Sequence, residues 1–205
     1  MTLHEPATFI TDLLLAALGF WFARRLRGAE APSGARHWWI RSMLLMAISA
    51  TVGGFYHGFA PGLPPDIGSV WWRVVLWIIC GLGFAMGMSL LGELVSVQAR
   101  RGWTLLLGVK LAISCSLVAA KPQFLVAIAD YGSSMLAWLV AAVVARRAWS
   151  VVMAAGVLLS LAAGAIQQLQ WGLGPGFNHN DVFHVIQAFA LVCFYHAGKK
   201  LKTLA

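Results

Sequence analysis

The residues of this chain that could do chemistry are concentrated at the start of its last apolar segment. Residues 178–200 read NHNDVFHVIQAFALVCFYHAGKK, in which polar and ionisable residues come first and apolar residues follow. Asp181 and His184 are three residues apart, so on a helix they share one face, and Gln187 lies about one turn further along. Ionisable groups at the mouth of an apolar helix are energetically expensive and are usually retained for function. The sequence therefore predicts a functional site at this helix start.

A second histidine, His57, lies at the end of another apolar segment and could join His184 in a metal site. Neutral imidazoles and carboxylates are ligands that Zn²⁺ accepts, and a catalytic zinc keeps one coordination position for water. The predicted zinc ligands are His57 and His184, with His179, Asp181 or Asp130 as the third. Asp181 or Asp130 is also the predicted general base. The same cavity is expected to include Asp12, Asn180 and Gln187.

The composition indicates a membrane protein. Of the 205 residues, 60% are hydrophobic and 11% are charged, whereas about 25% are charged in an ordinary soluble domain. The net charge of +8 lies mainly in short gaps between apolar runs, which argues against nucleic acid as a partner and for membrane lipid. We expect an all-α protein, a single seven-transmembrane helix bundle over residues 1–205, because seven apolar runs approach the length that a bilayer requires. They cover about 8–24, 38–60, 70–95, 103–120, 123–145, 149–172 and 180–198.

The positions of the basic residues predict the orientation. Twelve of the fifteen Lys and Arg residues fall on one side of the predicted spans, in residues 24–41, 100–101, 146–147 and 199–202. Cytoplasmic loops carry the excess of positive charge, so we expect the N-terminus outside and the C-terminus in the cytoplasm. A bacterial inner membrane is the expected location. This orientation places the histidine and carboxylate cluster near the outer face, and most Trp residues near the span ends, in an interfacial belt.

The first apolar segment is expected to be a helix that is not removed. Ala29-Glu30-Ala31 resembles a signal-peptide cleavage site, but no Lys or Arg precedes the segment and Arg24 and Arg25 follow it. A signal peptide has the opposite order of charge.

The glycine-rich run Thr51–Phe59 has two interpretations. Small residues let neighbouring helices approach closely, so the run could be a packing seam. Alternatively, Gly53 and Gly54 could leave space beside His57 for a ligand or a metal.

The two histidine segments resemble one known superfamily. Residues 180–185, Asn-Asp-Val-Phe-His-Val, and the Phe-Tyr-His sequence that ends at His57 are similar to motifs of the seven-helix alkaline ceramidases and progestin/adipoQ receptors. The resemblance implies zinc bound between helices 2 and 7 and hydrolysis of a ceramide-like lipid amide. Asn180 stands where that superfamily has the first histidine of its helix-7 pair, and Gly53 stands where it has a serine. The chain also resembles small bacterial membrane proteins with an Asn-Asp-x-x-His last helix.

Three functions follow as expectations. The first is a zinc-dependent hydrolase that acts on a lipid or acyl-amide substrate from the outer leaflet. The second is a non-enzymatic receptor, carrier or scaffold with a polar cavity near the outer face. The third is a b-type haem protein with His57 and His184 as axial ligands.

Overall fold

A computed structural model of the protein describes residues 2–28, 33–174 and 176–204. The described chain is helical, as the composition predicted, and each of its seven helices is long and apolar enough to cross a membrane. The helices are α1 Pro6–Arg27, α2 Gly34–Phe59, α3 Pro65–Leu94, α4 Val97–Ala120, α5 Phe124–Ala145, α6 Ser150–Gln168 and α7 His179–Gly198, with a 3₁₀ turn at Ala60–Gly62 after α2.

Local sequence explains where the helices begin. Pro6 opens α1 and Pro65 opens α3, a position at which proline loses no intrahelical hydrogen bond. The side chain of Ser33 caps α2 by accepting a hydrogen bond from the amide of Arg36 at 3.3 Å. Even the shortest helix, α6, has 19 residues. At 1.5 Å per residue it is about 29 Å long, close to the hydrocarbon thickness of a bilayer.

Five helix ends lie three residues or more from the predicted ones, namely the starts of α2, α3 and α4 and the ends of α1 and α6. The sequence predicted a fourth span from residue 103, but α4 begins at Val97. The prediction began too late because Arg100 and Arg101, in the first turns of α4, lower the local hydropathy. The predicted sixth span reached residue 172, whereas α6 ends at Gln168, two residues before the positive-φ residue Gln170. The possible cleavage sequence Ala29-Glu30-Ala31 lies outside the described residues.

Six of the helices form a ring, and the seventh lies outside it. Successive pairs pack in the order α1, α2, α3, α5, α6, α7 and back to α1, while α4 packs only against α3 and α5. Close approach in the ring depends on glycine. A Cβ at Gly92 of α3 would come within 2.9 Å of the backbone of Ala35 on α2. The ring encloses the core, and α4 buries only Ser114 and Val118.

Buried tryptophans fill one half of the ring. Trp39 and Trp149, which lie near the starts of α2 and α6, are almost fully buried within the bundle and pack edge-on against Trp138. Each indole nitrogen donates a hydrogen bond within the protein, for Trp39 to the carbonyl of Phe194 at 3.0 Å. The indole of Trp149 donates to the buried carboxylate of Glu93 at 2.8 Å. Internal acceptors therefore allow these rings to lie in the core.

The segment after α7 closes this end of the bundle. The amide of Lys202 donates to Glu93 at 2.6 Å, and the guanidinium of Arg100 donates to the carbonyl of Leu204 at 2.6 Å. Leu201 is fully buried. The opposite end of the ring, where α2 ends and α7 begins, is less completely filled.

Candidate functional site

A cavity of about 270 Å³ opens at the end of the ring where α2 ends and α7 begins. Its walls come mainly from α2, α3 and α7, with further side chains from α1, α5 and α6, and they include aromatic rings of α3 and α5. Six of the residues that the sequence placed in the site line it, namely Asp12, His57, His179, Asn180, His184 and Gln187. Three distant segments of the chain, α1, α2 and α7, therefore bring these residues together there.

His184 is the most constrained of these side chains. It is buried, and both of its ring nitrogens have a partner on α1. Nε2 lies 3.2 Å from Asp12 Oδ1, and Nδ1 lies 2.9 Å from Thr11 Oγ1. If Nδ1–H donates to Thr11, then Nε2 and a carboxylate oxygen face each other as two acceptors, and a proton or a cation must lie between them. If Thr11 donates to Nδ1, then Nε2–H donates to Asp12.

Asp12 is a buried carboxylate, and one of its two oxygens pairs with His184. Its Oδ2 has no hydrogen-bond partner among the described residues. A buried polar atom without a partner loses its hydration without compensation, so such atoms are rare outside functional sites. Asp12 also lines the cavity, where a ligand could supply the missing partner.

The glycine-rich run accounts for the position of Asp12. A Cβ at Gly54 would come within 2.9 Å of the Asp12 Cβ, and a Cβ at Gly53 would lie 3.9 Å from its Oδ2. The run is thus a seam that lets α1 approach α2 and carry its carboxylate into the site. Gly53 also lines the cavity, so both sequence interpretations describe part of its role.

His57, near the end of α2, lines the same cavity. Its Nδ1 lies 3.4 Å from Glu5 Oε2, and its ring contacts the ring of Trp72 edge-on. The hydrogen bond from His57 lowers the pKa of the Glu5 carboxyl, which lies just before α1. Two of the three histidines that line the cavity, His57 and His184, are therefore each paired with a carboxylate near the start of α1.

Asp181, which the sequence grouped with the site, does not line the cavity. Its Oδ2 accepts a hydrogen bond from the amide of Asn178 at 2.6 Å, while the Asn178 side chain accepts one from the amide of Asn180 at 2.8 Å. This reciprocal arrangement caps α7. Asp181 therefore holds the helix start that presents His184, and its role as ligand or general base stays a prediction.

Asp130 lies in a separate cluster, which corrects the prediction that it shares the site. Its Oδ1 pairs with the ammonium of Lys110 at 3.2 Å, and its Oδ2 accepts from Ser114 at 2.6 Å. Lys110 is a lone lysine within a predicted span, and its carboxylate partner is Asp130. Both carboxylate oxygens are occupied, and neither lines the cavity.

The metal prediction is neither met nor excluded by this geometry. Within residues 2–28, 33–174 and 176–204, no three or more His, Cys, Asp or Glu side chains converge closely enough to hold a metal ion. Asp12 and His184 supply two converging donors, and His57 shares the cavity with them.

Two contacting residues were missed by the sequence reasoning. Thr11 directly precedes Asp12, and its hydroxyl holds the other side of the His184 ring. Glu5 precedes the helix-opening Pro6, which marks a helix start but gives no signal of a histidine partner. Neither contact could be read from spacing, because each joins residues far apart in sequence.

Taken together, the fold and the site define a bundle of seven membrane-length helices with a histidine and carboxylate cavity at one end. Residues 7–203 match a family of unknown function (DUF6962), and the chain belongs to that family. Comparison with curated proteins and with solved structures finds no match.

Proposed function

We propose that the protein is an integral membrane, zinc-dependent hydrolase that acts on a lipid or acyl-amide substrate. One observation carries the proposal. A buried carboxylate on α1 and a buried imidazole on α7 meet at the wall of a cavity, and the second oxygen of that carboxylate has no partner among the described residues. A cation bound by both carboxylate oxygens of Asp12 and by His184 Nε2 would satisfy all three atoms.

The spacing of this pair fits zinc. Zn–N and Zn–O bonds of roughly 2.0–2.2 Å in tetrahedral geometry separate two ligand atoms by about 3.4 Å. Asp12 Oδ1 and His184 Nε2 are 3.2 Å apart. The hydroxyl of Thr11 on Nδ1 would fix the ring, as the outer partners of metal-bound histidines do.

His57 is proposed as the third ligand. It shares the cavity with the pair, and ligation requires it to turn from Glu5 towards Asp12. Bound zinc would lower the pKa of its water towards about 7 and polarise a carbonyl. Gln187 Oε1 is buried and has no partner in the described parts of the chain, so it could accept a hydrogen bond from the N–H of an amide substrate.

Two further features support the proposal. The segments that carry His57 and His184 resemble the zinc-binding segments of the alkaline ceramidase superfamily. The cavity also adds apolar and aromatic lining to these polar groups, including Trp72, Phe124 and Phe183, which suits an acyl substituent.

We also propose that the cavity faces the outside of a bacterial inner membrane. The asymmetry of Lys and Arg supports an external N-terminus and a cytoplasmic C-terminus. A reporter fused after Ala205 is expected to read as cytoplasmic, and one inserted at Gly62 as external. The reverse result would place the cavity on the cytoplasmic side.

Zinc content tests the proposed site. Protein purified in detergent with added zinc and then dialysed should retain about one zinc per chain by elemental mass spectrometry. His57→Ala and His184→Ala should each lose it, because two remaining ligands rarely hold zinc. His196→Ala is the matched control, since this histidine is exposed on the same helix as His184 and does not line the cavity.

Asp181→Ala separates a ligand from a helix cap. If Asp181 is a cap, this replacement should lower the free energy of unfolding by about 1 kcal/mol and leave the zinc content near that of the wild type. Wild-type protein that holds no zinc, or histidine variants that keep it, would contradict the proposal.

A non-enzymatic receptor or carrier is the second candidate. It is favoured by the positions of Asp130 and Asp181, because both carboxylates predicted as bases are committed elsewhere. Purified protein that binds an amphiphile in the cavity but holds no zinc and hydrolyses no acyl amide would support this function.

A further inference from the structure

A second space reaches the site from the side of the bundle. A groove of about 550 Å³ runs between α1 and α7. Side chains along it are exposed to the surroundings of the bundle, with Leu14 60% and Phe189 63% exposed. Its apolar lining includes Leu14, Ala17, Leu18, Val185, Ala188 and Phe189.

The groove and the cavity meet at two side chains. Leu15 and His184 line both spaces. Thr11, the partner of His184 Nδ1, lines the groove, whereas Asp12, the partner of Nε2, lines the cavity. The imidazole of His184 is therefore shared between the membrane-facing groove and the buried site.

The groove has the length and polarity of one acyl chain. Its lining on α1 extends from Thr11 to Trp21, ten residues, or about 15 Å of helix. That is half of the roughly 30 Å hydrocarbon thickness of a bilayer. No Lys, Arg, Asp or Glu lines the groove within the described residues, and its polar groups are Thr11, His184 and the Trp21 indole.

We infer that the groove between α1 and α7 holds a single acyl chain of a lipid from one leaflet, with the uncharged polar end of that chain at Thr11 and His184. The inference rests on the proposed function for what happens to that polar end. It adds that the lipid enters laterally, between α1 and α7. It also limits the part of the substrate that lies beside His184 to one acyl chain.

The test is photolabelling in phosphatidylcholine nanodiscs. The probe is a long-chain fatty acyl amide with a diazirine near its methyl end, and the labelled residues are found by peptide mass spectrometry. The wild type should be labelled mainly near Trp21 and Phe189. Ala17→Phe fills the groove and should lower this labelling about tenfold.

Matched variants keep the result interpretable. Ala162→Phe places the same side chain at an exposed alanine of α6, outside the groove, and should leave labelling at the wild-type level. Ala188→Phe blocks the groove from α7 and repeats the test if Ala17→Phe folds poorly. All variants are first compared by thermal unfolding.

The outcomes separate this inference from the proposed function. Equal labelling in Ala17→Phe and Ala162→Phe, or labelling spread evenly over the lipid-facing helices, would overturn the acyl-chain groove even if zinc is bound. Labelling confined to the groove in protein that holds no zinc would support the groove and contradict the hydrolase.

Discussion

Two buried carboxylates in this bundle have similar surroundings and different chemistry. Asp12 on α1 and Asp130 on α5 are each 4% exposed, and each lies 3.2 Å from a nitrogen of another helix. Each also packs against a glycine of a neighbouring helix, Gly54 for Asp12 and Gly83 for Asp130. The difference lies in what completes their hydrogen bonds.

Asp130 is fully satisfied. Lys110 and Ser114 occupy its two oxygens, and the Lys110 ammonium also donates to the Asp130 carbonyl at 2.8 Å and to Ser134 at 3.0 Å. Asp12, in contrast, faces a histidine and keeps one oxygen without a partner among the described residues. A satisfied buried pair holds helices together, whereas an unsatisfied one is available to a ligand. The Asp130 pair therefore holds α4 against α5, whereas the Asp12 pair belongs to the candidate site.

The largest expected effect comes from breaking the Lys110 pair. Lys110→Met leaves Asp130 buried without its cation, which costs about 3–5 kcal/mol in comparable pairs. The midpoint of thermal unfolding, followed by tryptophan fluorescence in detergent, should fall, while any zinc content stays at the wild-type level. The double variant Lys110→Met/Asp130→Asn removes both charges and should recover part of the loss. An unchanged midpoint in the single variant would show that the ion pair does not stabilise the packing of α4 against the bundle.

The fold could be predicted from the sequence because membrane-length apolar runs leave few alternatives to helices. The meeting of His57 and His184 was also predictable from their positions near the ends of their segments. The contact of His184 with Asp12 was not, because the packing of α1 against α7 depends on side-chain shape. The capping role of Asp181 could not be told from a ligand role, because the same carboxylate pattern at a helix start suits both.

A smaller effect is expected at the contact between His57 and Glu5. His57 lowers the pKa of Glu5, so the ionised carboxylate contributes stability above its ordinary pKa of about 4.5 and loses it as the pH falls through the lowered value. Glu5→Gln should remove this part of the acid dependence of the unfolding midpoint between about pH 6 and pH 3. An acid dependence identical to that of the wild type would show that the contact with His57 has no energetic role.

The most direct test of the account is the stabilisation by zinc of two matched variants, Asp12→Asn and Asp130→Asn. At about a hundredfold excess over its dissociation constant, zinc should stabilise the wild type by about 2.7 kcal/mol. The account predicts that Asp12→Asn unfolds near the wild-type midpoint without zinc but gains little from it. Asp130→Asn should begin lower and keep the full zinc-induced shift. A full shift in Asp12→Asn, or its loss in Asp130→Asn alone, would contradict the assignment of the site to Asp12.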